Sequence, residues 1–239
     1  MSQERPSRNQ IRKRGLLSLC AELEVSLEVL INNYVGKHFL NSIIEKKSLI
    51  ENILNDSLTE EQLNFINERC SLSYHRDRRQ ALEYGRDLVV GWLAEDAVLT
   101  KLANLNFEIQ FNGNDQNREF LVKDAIGTKA DYCLKLNEKL YNIELVISWD
   151  TYWKRTNQLD LRDSKFRQLT SSGENCALIG IEPMSQIFFI VSMGIVEKYF
   201  KWRQNPAWGN KGVYTLTDIN KIVRPMNQFN REFLVGFLD

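Results

Sequence analysis

The sequence predicts an α/β fold: a central mixed β-sheet flanked by helices, with a helical N-terminal region ahead of it. Three observations lead there. Apolar residues recur at helical spacing through residues 16–56, period-two alternation marks residues 107–111 and the stretches around Asp131 and Glu144, and two continuous apolar runs, 176–181 and 187–191, lie between turn signals.

Taken in order, residues 1–14 carry Arg5, Arg8, Arg12, Lys13 and Arg14 against Glu4 alone, a basic arm that is either solvated or set against phosphates. Leu16, Leu19, Leu23, Leu27, Leu30 and Ile31, then Phe39, Ile43, Ile50 and Leu54, follow helical periodicity. Ser57 with Glu60 three residues on has the form of a capping box opening a further helix. His75, Arg76, Arg78 and Arg79 form a second basic cluster, a solvated helix face or a contact to a nucleic-acid backbone. Leu88, Trp92, Leu99 and Leu102 make the stripe of the next helix, and Glu95 falls inside it. An alternating strand at 107–111 turns at 112–115 and leads past Phe120, Leu121 and Val122 to the Asp131 strand. The polar stretch 136–142 closes a hairpin onto the Glu144 strand.

Beyond Glu144, Trp149, Tyr152 and Trp153 interleave with Lys154, Arg155, Asn157 and Gln158, and a basic helical stretch follows with Lys165, Arg167 and Gln168. The runs at 176–181 and 187–191 read as buried strands that complete the sheet. A helix is expected near 195–203, a loop at 205–212 that includes Lys211, a last strand at 213–216, and a terminal helix starting at Thr217 and Asp218. The expected division is a helical region over 1–84 and the α/β core over 85–239.

Composition narrows the function. Thirty-one basic and 31 acidic residues cancel, so affinity for a polyanion has to come from local patches. No apolar run reaches the roughly 18–20 residues of a membrane span and no signal pattern is visible, which points to a cytoplasmic protein. The four cysteines lie far apart, with no Cys-x-x-Cys pair, which argues against zinc; the two histidines, His38 and His75, pair with no nucleophile. No phosphate-binding glycine loop is present, so a nucleotide cofactor is not expected.

The acids carry the chemistry. Period two puts Asp131 on one strand face with Lys129 and Cys133, and Glu144 on one face with Val146. The hairpin lets the two carboxylates meet, while Glu95 is an inward acid that needs a partner of its own. A cation shared by Asp131, Glu144 and Glu95 resolves all three, and magnesium suits such oxygen donors.

This order of helix acid, strand Asp, hairpin, Glu on an apolar strand, then a Lys/Arg-rich helix resembles the PD-(D/E)XK nuclease superfamily, and within it type II restriction endonucleases, over roughly residues 85–195. The resemblance implies a restriction-endonuclease-like core and a magnesium-dependent, sequence-specific endonuclease acting on double-stranded DNA as a homodimer. It implies catalysis by Asp131, Glu144 and Glu95 at the metal. It also implies DNA contacts for Arg76, Arg78, Arg79, Lys154, Arg155, Asn157, Gln158, Lys165 and Lys211. A transposon-end or repair nuclease of the same superfamily is the second enzymatic reading. One position departs from the pattern: Val146 stands where the family has a lysine. Either another cation fills that role, with Lys129 first by geometry and Lys154 and Lys165 less constrained, or the metals suffice, or the chain is a DNA-binding pseudonuclease.

Overall fold

Helix α1 (Arg8–Glu22) opens on a capping box in which Ser7 accepts from the Gln10 N–H and the Gln10 side chain accepts from the Ser7 N–H. The computed structural model describes residues 6–74, 80–112, 116–120, 130–136, 138–171, 175–206 and 209–238. Helices α2 (Leu27–Asn32), α3 (Lys46–Asn55), α4 (Glu60–Tyr74) and α5 (Ala81–Asn104) complete the helical region. Of the periodic positions that the sequence marks, Leu16, Leu19, Leu23, Leu30, Ile31, Ile50, Leu54, Trp92 and Leu102 are buried, joined by Leu49, Ile53, Ile66, Leu93 and Ala97; Phe39 and Ile43 precede α3 rather than belonging to a helix, and Ile43 is exposed. Phe39 stacks on Phe120 at 5.1 Å, with Phe65 and Trp92 around them, so Phe120 belongs to this helical core. The expected strand onward through Leu121 and Val122 lies outside the described residues.

The start of α4 differs from expectation. Thr59, not Ser57, caps it: the Gln62 N–H donates to Thr59 Oγ1 and the Thr59 N–H to Gln62 Oε1, each at 3.2 Å. Ser57 instead donates to Asn52, because Asp56 before it takes the left-handed conformation (φ 53°) that ends α3.

Two units divide the chain. One holds Met1–Lys101 with Asn114–Gly127; the other holds Leu102–Gly113 with Thr128–Asp239. Glu95 therefore belongs with the N-terminal helices, whereas the sequence reading placed it in the core starting at 85.

The second unit contains a six-stranded mixed sheet of β1 (Glu108–Phe111), β2 (Tyr132–Leu136), β3 (Lys139–Ile147), β5 (Cys176–Glu182), β6 (Ile187–Ser192) and β9 (Arg224–Pro225), adjacent in the order 1-2-3-5-6-9. Among the described strands of this sheet only β3 and β5 run parallel. Between them the chain makes α6 (Tyr152–Thr156), β4 (Gln158–Arg162) and α7 (Asp163–Ser171). After β6 come α8 (Met193–Val196), β7 (Lys201–Asn205), β8 (Lys211–Thr217) and, last, α9 (Arg231–Leu238). A second sheet joins β4, β8 and β7 in that order. Buried Phe166 and Leu169 of α7 share one apolar cluster with Leu178 and Phe189 of the large sheet and Leu159, Leu161 and Leu216 of the small one.

Two C-terminal expectations change. Residues 201–205 form an edge strand rather than the end of a helix, since its exposed Lys, Trp and Gln leave no helical stripe to bury. Asp218, at φ 60°, cannot open a helix; a single turn follows it and α9 starts only at Arg231.

Gly180 of β5 sits across from Phe189, and a Cβ there would overlap that ring. Gly180→Ala is therefore expected to lower stability by about 1–3 kcal/mol, read from urea unfolding, because the ring has no empty space to move into.

Candidate functional site

Strand pairing decides which acids meet. Tyr132 lies opposite Ile143, so Asp131, one residue earlier, faces Glu144, one residue later, across the β2–β3 hairpin. The hairpin closes in two residues, with Glu138 in the left-handed region (φ 63°). Directly opposed residues share a face, and on this face β1, β2 and β3, with Asn112 just after β1, present Glu108, Gln110, Cys133, Lys135, Leu140 and Asn142, all exposed or half-buried. The same face continues through Val146, Cys176, Leu178, Phe189 and Val191, which α7 and the small sheet cover. Glu144 stands where the open polar half gives way to the covered apolar half.

Its surroundings follow from that position. Glu144 is 5% exposed, and Lys165 of α7 reaches it with Nζ 2.7 Å from Oε2. Phe166 and Leu169 fasten α7 to the apolar half, which leaves the neighbouring Lys165 at the border, half-buried. Asp131 is held from both sides: its Oδ2 accepts from the Leu145 N–H of β3 at 2.9 Å, and its carbonyl accepts from the N–H of Asn112, just after β1, at 3.1 Å. Burial first, and then the Asp131 charge, push the Glu144 carboxyl up to about 8; Lys165 and the Asp131 backbone N–H oppose them. Cys176 lies beside the pair, its thiol raised to about 11 by burial and then by the Glu144 charge.

Val146 shares this face but is partly buried against the cluster around Trp153, Leu178 and Phe189. A side chain at 146 points among apolar neighbours, so a lysine introduced there would enter the cluster rather than the open half.

Glu95 has found a different partner. Arg118, 3% exposed, sends Nη1 to Glu95 Oε2 at 2.6 Å and Nη2 to Asp96 Oδ1 at 2.5 Å, and the Tyr34 hydroxyl donates to Asp96. Burial and then the Asp96 charge raise the Tyr34 phenol above its ordinary value. The inward acid is compensated by a guanidinium, where a metal was expected.

Lys129, Arg76, Arg78 and Arg79 lie outside the described residues. Lys154 and Arg155 are exposed on α6, and Arg155 pairs loosely with Asp150 at 3.8 Å. Asn157, expected to contact DNA, ties a turn: its Oδ1 accepts from the Asn220 N–H and its Nδ2 donates to Asp218. Gln158 starts β4, and exposed Lys211 starts β8.

Two buried carboxylates were not singled out in the sequence. Glu182, at the end of β5, accepts from the Ser148 hydroxyl, the Trp153 and Lys154 N–H groups and the Ser185 hydroxyl, which fixes α6 against the sheet. Asp160 of β4 accepts from Arg203, Asn205, Thr215 and Tyr152 and ties β4 to β7 and β8. Their signal was an acid inside or ending an apolar strand, the same signal that marks Glu144.

Among the described residues no three His, Cys, Asp or Glu side chains converge as a metal-binding group. The Asp131–Glu144 pair does suit a divalent cation: two oxygen donors face each other, and the Glu144 carboxyl, raised first by burial and then by the Asp131 charge, is a group whose ionised form such a cation favours. Comparison with protein-family models, curated proteins and solved structures finds no match.

The shift has a sign for stability. Folded Glu144 titrates near 8 against an ordinary 4.5, so its contribution is full below the lower value and is lost as pH rises through the upper one. Without divalent metal, stability should fall between about pH 5 and about pH 9, and Glu144→Gln should flatten that fall in urea unfolding. An equally steep fall in the variant would deny the buried carboxylate.

Proposed function

We propose that the chain is a magnesium-dependent DNA endonuclease of the PD-(D/E)XK type, with Asp131 and Glu144 holding the metal and Lys165 standing in for the lysine that Val146 replaces. The observation that carries the reading is the placement of two carboxylates opposite each other with one lysine ammonium on them, at the border of an open polar sheet face. The chain order also supports it: α5, β1, β2 with Asp131 before it, β3 with Glu144, then α7 with Lys165 and β5.

Bound between Asp131 and Glu144, magnesium would supply Lewis acidity at a phosphoryl oxygen and an acidified water. Asp131 is held for this by the Leu145 N–H, so its carboxylate need not reorganise. Lys165, on the helix that covers the apolar half, brings its ammonium to the same point, where it can offset the negative charge that builds on the phosphate. Its charge also keeps Glu144 closer to ionisation. The open half beside them, which also carries Glu108 and Leu140, offers a DNA strand donors and acceptors on Gln110, Asn112, Lys135 and Asn142. A type II restriction enzyme acting as a homodimer on a palindromic site is the form proposed, since a two-fold protein matches a two-fold site.

Purified protein with magnesium should cut plasmid DNA into discrete fragments. Asp131→Ala and Glu144→Ala should each abolish cutting, and Lys165→Ala should slow it by about 10²- to 10⁴-fold. Val146→Lys should not rescue Lys165→Ala, because position 146 faces the apolar cluster. A Lys165→Ala protein that cuts at the parent rate would remove the lysine from the mechanism, and full cutting by either carboxylate variant would remove the site.

A further inference from the structure

The helical unit displays an apolar side chain on a fixed tip. Just ahead of α3, residues 38–45 fold back on themselves: His38 bridges Glu45, the Phe39 N–H donates to the Ile44 carbonyl and the Ser42 N–H to the Phe39 carbonyl, each at 3.1 Å, and Asn41 turns the chain at φ 56°. Phe39 and Ile44 are buried and anchor the turn, whereas Ile43 between them and the tip is 80% exposed. Further bonds hold the backbone still. The Ile44 N–H donates to Ser42 Oγ at 3.0 Å, the Leu40 N–H to Glu119 Oε2 at 3.1 Å, and Arg69 Nη2 to the Leu40 carbonyl at 3.1 Å. An apolar side chain on so fixed a backbone loses little freedom when a partner covers it.

Beside the tip runs a groove of about 730 Å³, bounded by residues 42–44 on one side and by the first half of α4 on the other. Ile43, Ile44 and Phe65 are its apolar lining. Its charged lining is Glu60, Glu61 and Glu68, all exposed, and among the described residues no Lys or Arg lines it. These acids span about 12 Å of helix. Glu60 and Glu61 lie in the first turn of α4, where the helix dipole favours them; Glu68, two turns on, has no such role.

The cations nearby in the chain are engaged elsewhere. Arg69 is turned to the Leu40 carbonyl and lies 5.6 Å from the centre of the Phe65 ring, Lys46 is held by Glu119, and Lys47 pairs with Glu51. None of the three groove acids is in an ion pair among the described residues.

We propose that this groove docks a basic segment of a partner protein, with an aliphatic or aromatic side chain against Ile43 and with Lys or Arg on either side of it meeting Glu60, Glu61 and Glu68. Charge selects the occupant, because three carboxylates and no lining cation repel a nucleic-acid strand or an acidic segment. The exposed tip makes it a protein segment rather than a bare cation, since a metal ion or a polyamine would leave Ile43 in water. The inference stands on the helical unit alone and does not require the nuclease reading.

The test uses the full chain without magnesium, with a displayed library of random peptides of about 12 residues as the probe. Peptides are first passed over Ile43→Ser, which removes those that bind elsewhere, and are then selected on the parent. The strongest is synthesised with a fluorescein label and followed by anisotropy. It should carry Lys or Arg on both sides of an aliphatic or aromatic residue, and the parent should bind it more weakly as salt rises. Ile43→Ser should weaken binding about tenfold to a hundredfold, the loss expected for one covered aliphatic side chain. Glu60→Gln, Glu61→Gln and Glu68→Gln together should weaken it about tenfold. All four positions are exposed, and melting temperatures confirm that the variants fold. Several results would overturn the proposal: no peptide selected on the parent, selected peptides that are neutral or acidic, or unchanged affinity in either variant. Equal binding after the apolar residue of the peptide is replaced by Ser would reduce the groove to a sink for any cation and overturn it too. So would sedimentation showing a parent dimer that Ile43→Ser dissolves, which would make the tip a contact between copies of the chain.

Discussion

Glu144 is a carboxylate held at the edge of an apolar core, and much of the second unit is arranged around that fact. An ionised acid in such a place is costly unless something of opposite charge reaches it. The helix that covers the apolar half of the sheet carries that charge, because Phe166 and Leu169 face the core and Lys165 comes next to them at its border. The same helix is gripped from its other side by the small sheet, through Tyr214 on Phe166 and through Leu159, Leu161 and Leu216. Core packing and the polarity of the site are thus set by one element. A change that loosens α7 moves the lysine as well as the core.

The three buried acids of this unit differ in a way that separates structure from chemistry. Glu182 is surrounded by two hydroxyls and two backbone N–H groups, and Asp160 by a guanidinium, an amide and two hydroxyls. Such shells satisfy the carboxylate oxygens and fix segments in place. Glu144 has one lysine and one backbone N–H, and the carboxylate of Asp131 stands against it. A buried acid with a like charge beside it stores a repulsion that metal binding can release, which is why this one is the candidate for chemistry.

Much of this was legible in the sequence, for identifiable reasons. Period-two alternation placed Asp131 and Glu144 on the faces they occupy, and the polar stretch between them closes the hairpin that brings them together. The apolar runs became β5 and β6 because a sheet interior covered on both faces takes such short continuous runs. Lys165 was one candidate among several, since its reach depends on how a helix crosses the sheet, which spacing along the chain does not encode. For Glu95 the sequence suggested a metal shared with Asp131 and Glu144; its partner is Arg118, which comes from a separate segment that spacing along the chain does not point to. The β7 edge was misread because an exposed strand of Lys, Trp, Arg, Gln and Asn buries no alternating face. The cap of α4 lies at Thr59 because Ser57, directly after the left-handed Asp56 that ends α3, is turned back to Asn52.

The central claim is that Asp131 and Glu144 share a divalent cation. The most direct measurement follows the carboxyl carbon of Glu144 by NMR in protein carrying carbon-13 in its glutamate side chains, with Glu144→Gln assigning the signal. In metal-free buffer the signal should titrate near 8, where burial and Asp131 place it. Saturating magnesium should move that midpoint down by more than about one unit, because a bound cation favours the ionised form. A midpoint that stays near 8 with magnesium present would contradict the shared site.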